Sequence, residues 1–232
     1  MLKQVVIIAG GLATRLYPLT EKIPKSMVLI KGKPFLEYQI DLCRKNGIEE
    51  IIFCGGHLWE QVQDYFGNGQ GFDVKITYSV EKEKLDTGGA LKNASPYLDK
   101  DFFVLYGDSY LAIDWQKVGR TYQQAQTQGL MVVYRNRGDL GLPSQVSLDN
   151  NGLITEFTKN NFKPTMQYIE YGLNVFSKKI IYQVAGKSFP ISRYFDLLIK
   201  NKQLAGYESP EVFYEVGSFE GIRQITEIFS RK

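Results

Sequence analysis

Histidine and cysteine are nearly missing from this 232-residue chain, which has one of the former, His57, and two of the latter, Cys43 and Cys54. A single histidine rules out a multi-histidine zinc site and nearly excludes a Ser-His-Asp triad. The two cysteines have no metal-ligand spacing and no third or fourth partner, so both are expected to be small buried residues. Long apolar runs are missing as well: none approaches the ~18 residues that cross a bilayer. The apolar segment after Met1-Leu2-Lys3-Gln4 is too short for a secretory signal core and has no small-residue cleavage site behind it. The expected compartment is therefore the cytoplasm, with no membrane partner. A strong excess of one charge is also lacking. A net charge of +3 gives no argument for nucleic acid, although 28 dispersed lysines and arginines can supply local phosphate sites.

What is present suits one well-buried domain over residues 1–232. The first half alternates strand-like and helix-like segments. Val5 to Ala9 is a continuous apolar run ending in Gly10-Gly11, as in a strand buried on both faces. Phe35 to Asn46 reads as a helix stopped by Gly47. Residues 51–54, 74–78 and 102–106 read as further strands, with helices expected over 60–66 and 88–98. The alternation predicts a doubly wound, mostly parallel α/β sheet with ligands at the strand C-termini. Gly10-Gly11 and Gly107-Asp108 both fall at such ends. The second half changes texture: a strand over 130–134, a hairpin about the Asn151-Gly152 turn, strands over 169–176 and 213–216, and helices over 192–200 and 219–229. A small antiparallel elaboration in the C-terminal half is the expected result.

Chemistry concentrates in Gly10-Gly11-Leu12-Ala13-Thr14-Arg15-Leu16-Tyr17-Pro18-Leu19-Thr20, followed by Pro24-Lys25-Ser26-Met27. Two glycines after a buried strand let backbone N–H groups approach a phosphate; Thr14 adds a hydroxyl, and Arg15 and Lys25 add positive charge. A P-loop is excluded because Pro24, not glycine, precedes Lys25-Ser26. A dinucleotide fingerprint is excluded because Ala13 stands beyond Gly10-Gly11 with no further glycine.

This segment resembles the signature of the nucleoside-diphosphate-sugar pyrophosphorylases, or sugar-1-phosphate nucleotidyltransferases. The similarity continues through Lys33 to Tyr38, Glu83 to Leu91, and Gly107-Asp108-Ser109, and is looser beyond residue 115. It implies the Rossmann-like nucleotide-diphospho-sugar transferase fold, a nucleotide-binding half over 1–115 and a sugar-phosphate-binding half over 116–232. It also implies that an NTP and a sugar phosphate are condensed with Mg²⁺ as cofactor. By the same resemblance Ala9, Gly10, Gly11, Thr14, Arg15, Lys25, Asp86, Thr87, Gly88 and Gly89 would contact the nucleotide. Arg15 would hold the β- and γ-phosphates, and Lys25 would stabilise charge at the α-phosphorus, which makes these two the catalytic pair. Asp108 would bind the metal. Glu215 would be the second metal ligand, a glutamate where the pattern usually has aspartate. Gly107, Glu156, Lys159, Glu170 and Asn174 would line the sugar-phosphate side, with Lys159 one position out of the usual register. The short length resembles the branch acting on heptose 1-phosphate or N-acetylmuramate 1-phosphate, and Glu81 to Gly89 leans toward GTP with heptose 1-phosphate. Cytidylyl transfer to a non-sugar phosphate such as phosphocholine or a polyol phosphate, and a non-catalytic nucleotide-sugar sensor, stay open as alternatives.

Overall fold

A computed structural model of the chain describes residues 1–11, 14–138 and 140–230, without the side chain of Thr14. Along the first half come β1 (Gln4–Ile8), the hairpin β2 (Leu29–Ile30) and β3 (Lys33–Pro34), α1 (Phe35–Lys45), β4 (Glu50–Gly55) and α2 (Trp59–Phe66). Next are β5 (Lys75–Val80), α3 (Asp86–Asn93), β6 (Asp101–Tyr106), β7 (Ser109–Tyr110) and α4 (Trp115–Ala125). The second half adds β8 (Gly129–Arg135), β9 (Val146–Leu148), β10 (Ile154–Phe157), β11 (Tyr168–Ser177) and α5 (Lys178–Ile181). It closes with α6 (Ser192–Lys200), β12 (Leu204–Ser209), β13 (Tyr214–Glu215) and α7 (Phe219–Ser230).

The main sheet runs β5-β4-β1-β6-β11-β8-β12, with the β9–β10 hairpin joined at the start of β11. β5, β4, β1 and β6 are parallel. β11 enters antiparallel to both β6 and β8, and β12 returns parallel to β8. This is the mostly parallel sheet with an antiparallel extension that the sequence predicts. Alternation along β1 divides the core into two layers. Val5 and Ile7 pack with Phe103 and Leu105 beneath α1, α2, α4 and α7. Val6 and Ile8 pack with Phe102 and Val104 beneath α3, α5 and α6. Among the described residues, no helix is long and apolar enough to cross a membrane.

Local chemistry explains the element ends. α1 buries Phe35, Leu36, Gln39, Ile40 and Cys43 on one side. It stops where the Asn46 side chain donates to the Leu42 carbonyl and Gly47 turns at φ +76°. α3 starts two residues before the expected position and stops at Asn93, because Pro96 carries no N–H and falls in a separate 3₁₀ turn, Ser95–Tyr97. Six elements were not expected from sequence: the short β2, β3, β7 and α5, and the longer α4 and β12. α4 is opened by the Asp114 carboxylate, which accepts the Lys117 N–H at 2.9 Å. β12 has no apolar run of its own; Gly206 in its middle packs so closely that a Cβ would lie 2.6 Å from Leu148 Cδ2. Finally α7 returns to the first half, where Phe229 stacks on Tyr38 at 4.3 Å and meets Tyr110 edge-on at 5.0 Å.

Candidate active site

β1 and β6 are neighbouring parallel strands, so their C-terminal ends open on one edge of the sheet. Gly107 donates its N–H to the Ile8 carbonyl at 2.9 Å, and a Cβ there would lie 2.7 Å from that of Ala9. Ala9 and Gly107 thus fix how closely the two strand ends approach. Gly11 is exposed, with open space where a side chain would stand. Leu12, Ala13 and the Thr14 side chain lie outside the described residues.

The chain returns to this edge at Lys25, the first residue of a 3₁₀ turn. Its Nζ meets Asp108 Oδ2 at 2.6 Å, with the side chains 19% and 23% exposed. β13 pairs with β7, setting Glu215 opposite Ser109, and the Val216 N–H donates to the Asp108 carbonyl at 2.9 Å. The Glu215 carboxylate is turned onto its own loop, accepting the Ser218 hydroxyl at 2.6 Å and the Gly217 N–H. A Cβ on Gly217 would press on Glu215 Oε2 and lie 3.0 Å from Arg15 Nη2 and 3.3 Å from Asp108 Oδ2. Arg15, Asp108 and Glu215 therefore surround one point that Gly217 leaves open. Two hard carboxylates flanked by Arg15 and Lys25 fit a cation that takes few protein ligands and completes its shell with phosphate and water. Among the described residues, no group of three or more His, Cys, Asp or Glu forms a denser donor cluster.

Sequence reasoning missed how Asp108 is held in place. Gln39, fully buried in α1, donates to the carbonyls of Tyr106 at 3.0 Å and Ser109 at 2.7 Å. A signal was available, since an amide sits on the apolar face of α1 one turn from Phe35.

A separate hollow of about 90 Å³ is lined by Gly10, Gly11, Glu81, Lys84, Asp86 and Thr87, among others. Asp86 sits at φ +58°, and its Oδ1 accepts the Thr87 N–H at 2.6 Å. The Thr87 hydroxyl accepts the Ile191 N–H at 2.9 Å. Gly88 and Gly89, expected to approach base and sugar, make their close approach to the chain itself. Both donate N–H groups to the Phe189 carbonyl, at 2.9 and 3.1 Å. A Cβ on Gly88 would lie 2.6 Å from the Phe189 ring, and one on Gly89 would strike the Lys187 carbonyl. Phe189 thus caps the first turn of α3, and those helix N–H groups are already satisfied.

The larger cleft, about 420 Å³, joins Arg15, Asp108 and Glu215 to Tyr106, Glu170 and Phe213. Glu170 lies on β11 where the register with β8 shifts, and Gly172 turns there at φ +81° against Ser109. Glu170 Oε1 accepts the Gly172 N–H and the Asn174 side chain, each at 3.2 Å. Burial pushes its carboxyl above the ordinary range, with nearby Lys159 pulling the other way. The Tyr106 hydroxyl, also missed from sequence, is buried without a partner in hydrogen-bond geometry. Burial first, and the Glu170 charge second, push that phenol well up. Lys159 Nζ stands 5.9 Å from the centre of the Tyr106 ring. Glu170, Asn174 and Lys159 are therefore brought together as expected, but Glu156 is not. It sits on β10, the outer strand of its hairpin, paired with Lys163 in a different hollow against Asp196 and Lys200 of α6. His57 is exposed beyond the end of β4, and burial pushes both cysteine thiols up, as inert core residues require.

Comparison with known proteins agrees with this geometry. A family model described as Nucleotidyl transferase matches residues 4–227. A D-glycero-alpha-D-manno-heptose 1-phosphate guanylyltransferase of Campylobacter jejuni is 33% identical over 160 residues, 69% of this chain and 70% of its own length. A UTP–glucose-1-phosphate uridylyltransferase of Synechocystis sp. is 29% identical over 211 residues, 80% of this chain but 54% of the relative. The crystal structure of HddC from Yersinia pseudotuberculosis complexed with GMP-PN superposes with a TM-score of 0.84 at 26% identity, covering 98% of this chain and 100% of that one. With the match running through the whole sheet and both ends of the cleft, the chain belongs to the nucleotidyl transferase family.

Proposed function

We propose that this enzyme condenses a nucleoside triphosphate with a sugar 1-phosphate, giving a nucleotide-sugar and pyrophosphate. The observation that carries this is the convergence of Arg15, Lys25, Asp108 and Glu215 at the β1 and β6 ends, at the mouth of the cleft that holds Glu170. An oxygen of the sugar phosphate attacks the α-phosphorus, the bond from that phosphorus to the bridging oxygen breaks, and its electron pair leaves with pyrophosphate. A phosphate monoester is already anionic near neutrality, so no side-chain base is needed. Lys25, released from Asp108, neutralises charge at the α-phosphate, and Arg15 holds the leaving phosphates. Asp108 and Glu215 would hold Mg²⁺, which supplies further charge neutralisation on the phosphates when bound. At the acceptor end Glu170, oriented by Asn174, accepts sugar hydroxyls, and Lys159 attracts the sugar phosphate. Relatives named for sugar 1-phosphates support that acceptor class. The cytoplasm, with its nucleoside triphosphates, is the compartment this reaction suits.

The test is pyrophosphate release by the purified chain with each NTP against sugar 1-phosphates, polyol phosphates and phosphocholine, with Mg²⁺ and with chelator. Release should require NTP, sugar 1-phosphate and Mg²⁺ together. Preference for phosphocholine or a polyol phosphate, or NTP binding without turnover on any acceptor, would overturn the assignment.

A further inference from the structure

We infer that Gln39 is a positioning residue for the reaction: from beneath the site it sets where Asp108 stands against Glu215 and Lys25, and with it the affinity of the two carboxylates for the divalent cation. The inference rests on the cation role proposed above. Gln39 is wholly buried on α1 and does not line the cleft. Its amide nitrogen uses both hydrogens on the β6–β7 turn, donating to the Tyr106 carbonyl at 3.0 Å and the Ser109 carbonyl at 2.7 Å. These carbonyls bracket Gly107-Asp108, so one amide group fixes the span of the turn. From the other side β13 holds it: the Asp108 carbonyl accepts the Val216 N–H at 2.9 Å, and Ser109 lies opposite Glu215. The same helix supports Lys25. The Phe35 N–H donates to the Val28 carbonyl at 2.9 Å, and the Val28 N–H donates to the Lys25 carbonyl at 3.1 Å. Phe35 and Gln39 are one helical turn apart, which makes α1 a shared base for Lys25 and Asp108.

Packing alone gives no reason for an amide here. Its Oε1 is buried and, among the described residues, has no hydrogen-bond partner. A methionine would fill the space without leaving a buried acceptor unsatisfied, which is a cost to folding. What only the amide supplies is two donors on one atom, aimed at two carbonyls. Reversing it would set oxygen against both carbonyls, so the turn itself dictates the orientation. The Asp108 side chain has little else to steady it: beyond Lys25 at 2.6 Å, the Ser109 hydroxyl stands at 3.5 Å. Its place therefore follows its backbone, and the backbone follows Gln39. Mg²⁺ demands near-ideal ligand geometry, so a small shift of Asp108 against Glu215 weakens the site.

The test uses Gln39→Met, which keeps the length of the side chain and removes both donors. Mn²⁺ binding to the purified protein is read from the free-ion EPR signal. The Mg²⁺ concentration for half-maximal pyrophosphate release is read with NTP and acceptor saturating. The Mn²⁺ Kd and the half-saturating Mg²⁺ should both rise by about 10- to 100-fold, the usual effect of losing a group that orients a metal ligand. Raising Mg²⁺ should restore the rate, and the KM for sugar 1-phosphate at saturating Mg²⁺ should match wild type. Cys43→Ala, one turn further along the same buried face, should lower the melting temperature and leave both cation readings unaltered. Gln39→His keeps an N–H donor and should give a smaller shift; it decides the matter if Gln39→Met does not fold. Unchanged Mn²⁺ affinity in a folded Gln39 variant, or an equal loss in Cys43→Ala, would overturn the inference. If no substrate pair releases pyrophosphate, yet Mn²⁺ binding weakens in Gln39→Met and not in Cys43→Ala, the transfer assignment fails while Gln39 keeps its role.

Discussion

The two ends of the cleft hold their carboxylates by opposite means. At the phosphate end Asp108 is partly exposed and paired with a full opposite charge, Lys25, at 2.6 Å. At the acceptor end Glu170, half-buried on the cleft wall, is held instead by neutral donors, the Gly172 N–H and the Asn174 amide. Water and counter-charge make the first end suited to exchanging phosphate and cation, since a partly exposed ion pair is weakly bound and readily re-formed. The second end keeps a carboxylate on the cleft wall with neutral donors and acceptor capacity to spare, which suits hydroxyl donors of a sugar. In the proposed reaction, then, charge density marks where the chemistry happens, and a carboxylate with unused acceptor capacity marks where the acceptor is selected.

Removing charge at the phosphate end should have the largest effect. Lys25→Ala or Asp108→Ala is expected to lower kcat by about 10²- to 10³-fold, with the melting temperature nearly unchanged; near wild-type pyrophosphate release would break the contrast. Next, Glu170→Gln should raise the KM for sugar 1-phosphate about tenfold, a charged hydrogen bond being exchanged for a neutral one, while NTP binding stays as it was. The same variant tests the sign of this charge's effect on stability. Because the folded carboxyl sits above its ordinary value, ionising it costs folding free energy. That cost grows as pH rises from the ordinary value through the folded one, and it persists above. Glu170→Gln should therefore melt higher than wild type at about pH 8 and no higher at about pH 4; a lower melt at the alkaline pH would show that the charge is net stabilising.

A smaller effect is expected outside the cleft, at the start of α3. Gly88→Ala drives a methyl into the Phe189 ring and carbonyl, an overpacking that costs about 1–3 kcal/mol. It should lower the melting temperature by several degrees in a scan, and no change would mean that Phe189 does not clamp α3. The smallest effect belongs to Glu156→Gln, whose exposed pair with Lys163 is worth about 0–1 kcal/mol. Acceptor KM should be unaltered, and a rise would join the two hollows that the structure separates.

Much of the phosphate end was legible in the sequence. Gly10-Gly11, Arg15, Lys25 and Asp108 lie within a few residues of buried apolar runs, and a parallel sheet sends the ends of such runs to one edge. The helices with clear apolar faces, α1, α6 and α7, were legible for the same local reason. α4 and β12 were not: α4 starts at a capping Asp114, and β12 is a strand only because β8 and the β9–β10 hairpin surround it. Glu156 was assigned to the cleft by its motif, but the side of a hairpin a residue occupies depends on how that hairpin docks. Gln39 and Tyr106 carry no motif; they matter because of what lies across the core from them.

The sequence by itself thus determined the parallel strands of the first half, the glycine-rich loop after β1 and the carboxylate at the end of β6, since each follows from periodicity and chemistry within one short segment. Only the tertiary structure decided how Glu215 is set beside Asp108, that Glu170 is held by the Gly172 N–H and the Asn174 amide, and that Phe189 caps α3. The physical reason is contact across sequence distance. β13 pairing with β7, the bulge of β11, and the return of residues 187–191 onto α3 are made by segments far apart in the chain. Their partners are chosen by packing and hydrogen-bond satisfaction in the folded state, not by any pattern within the segments themselves.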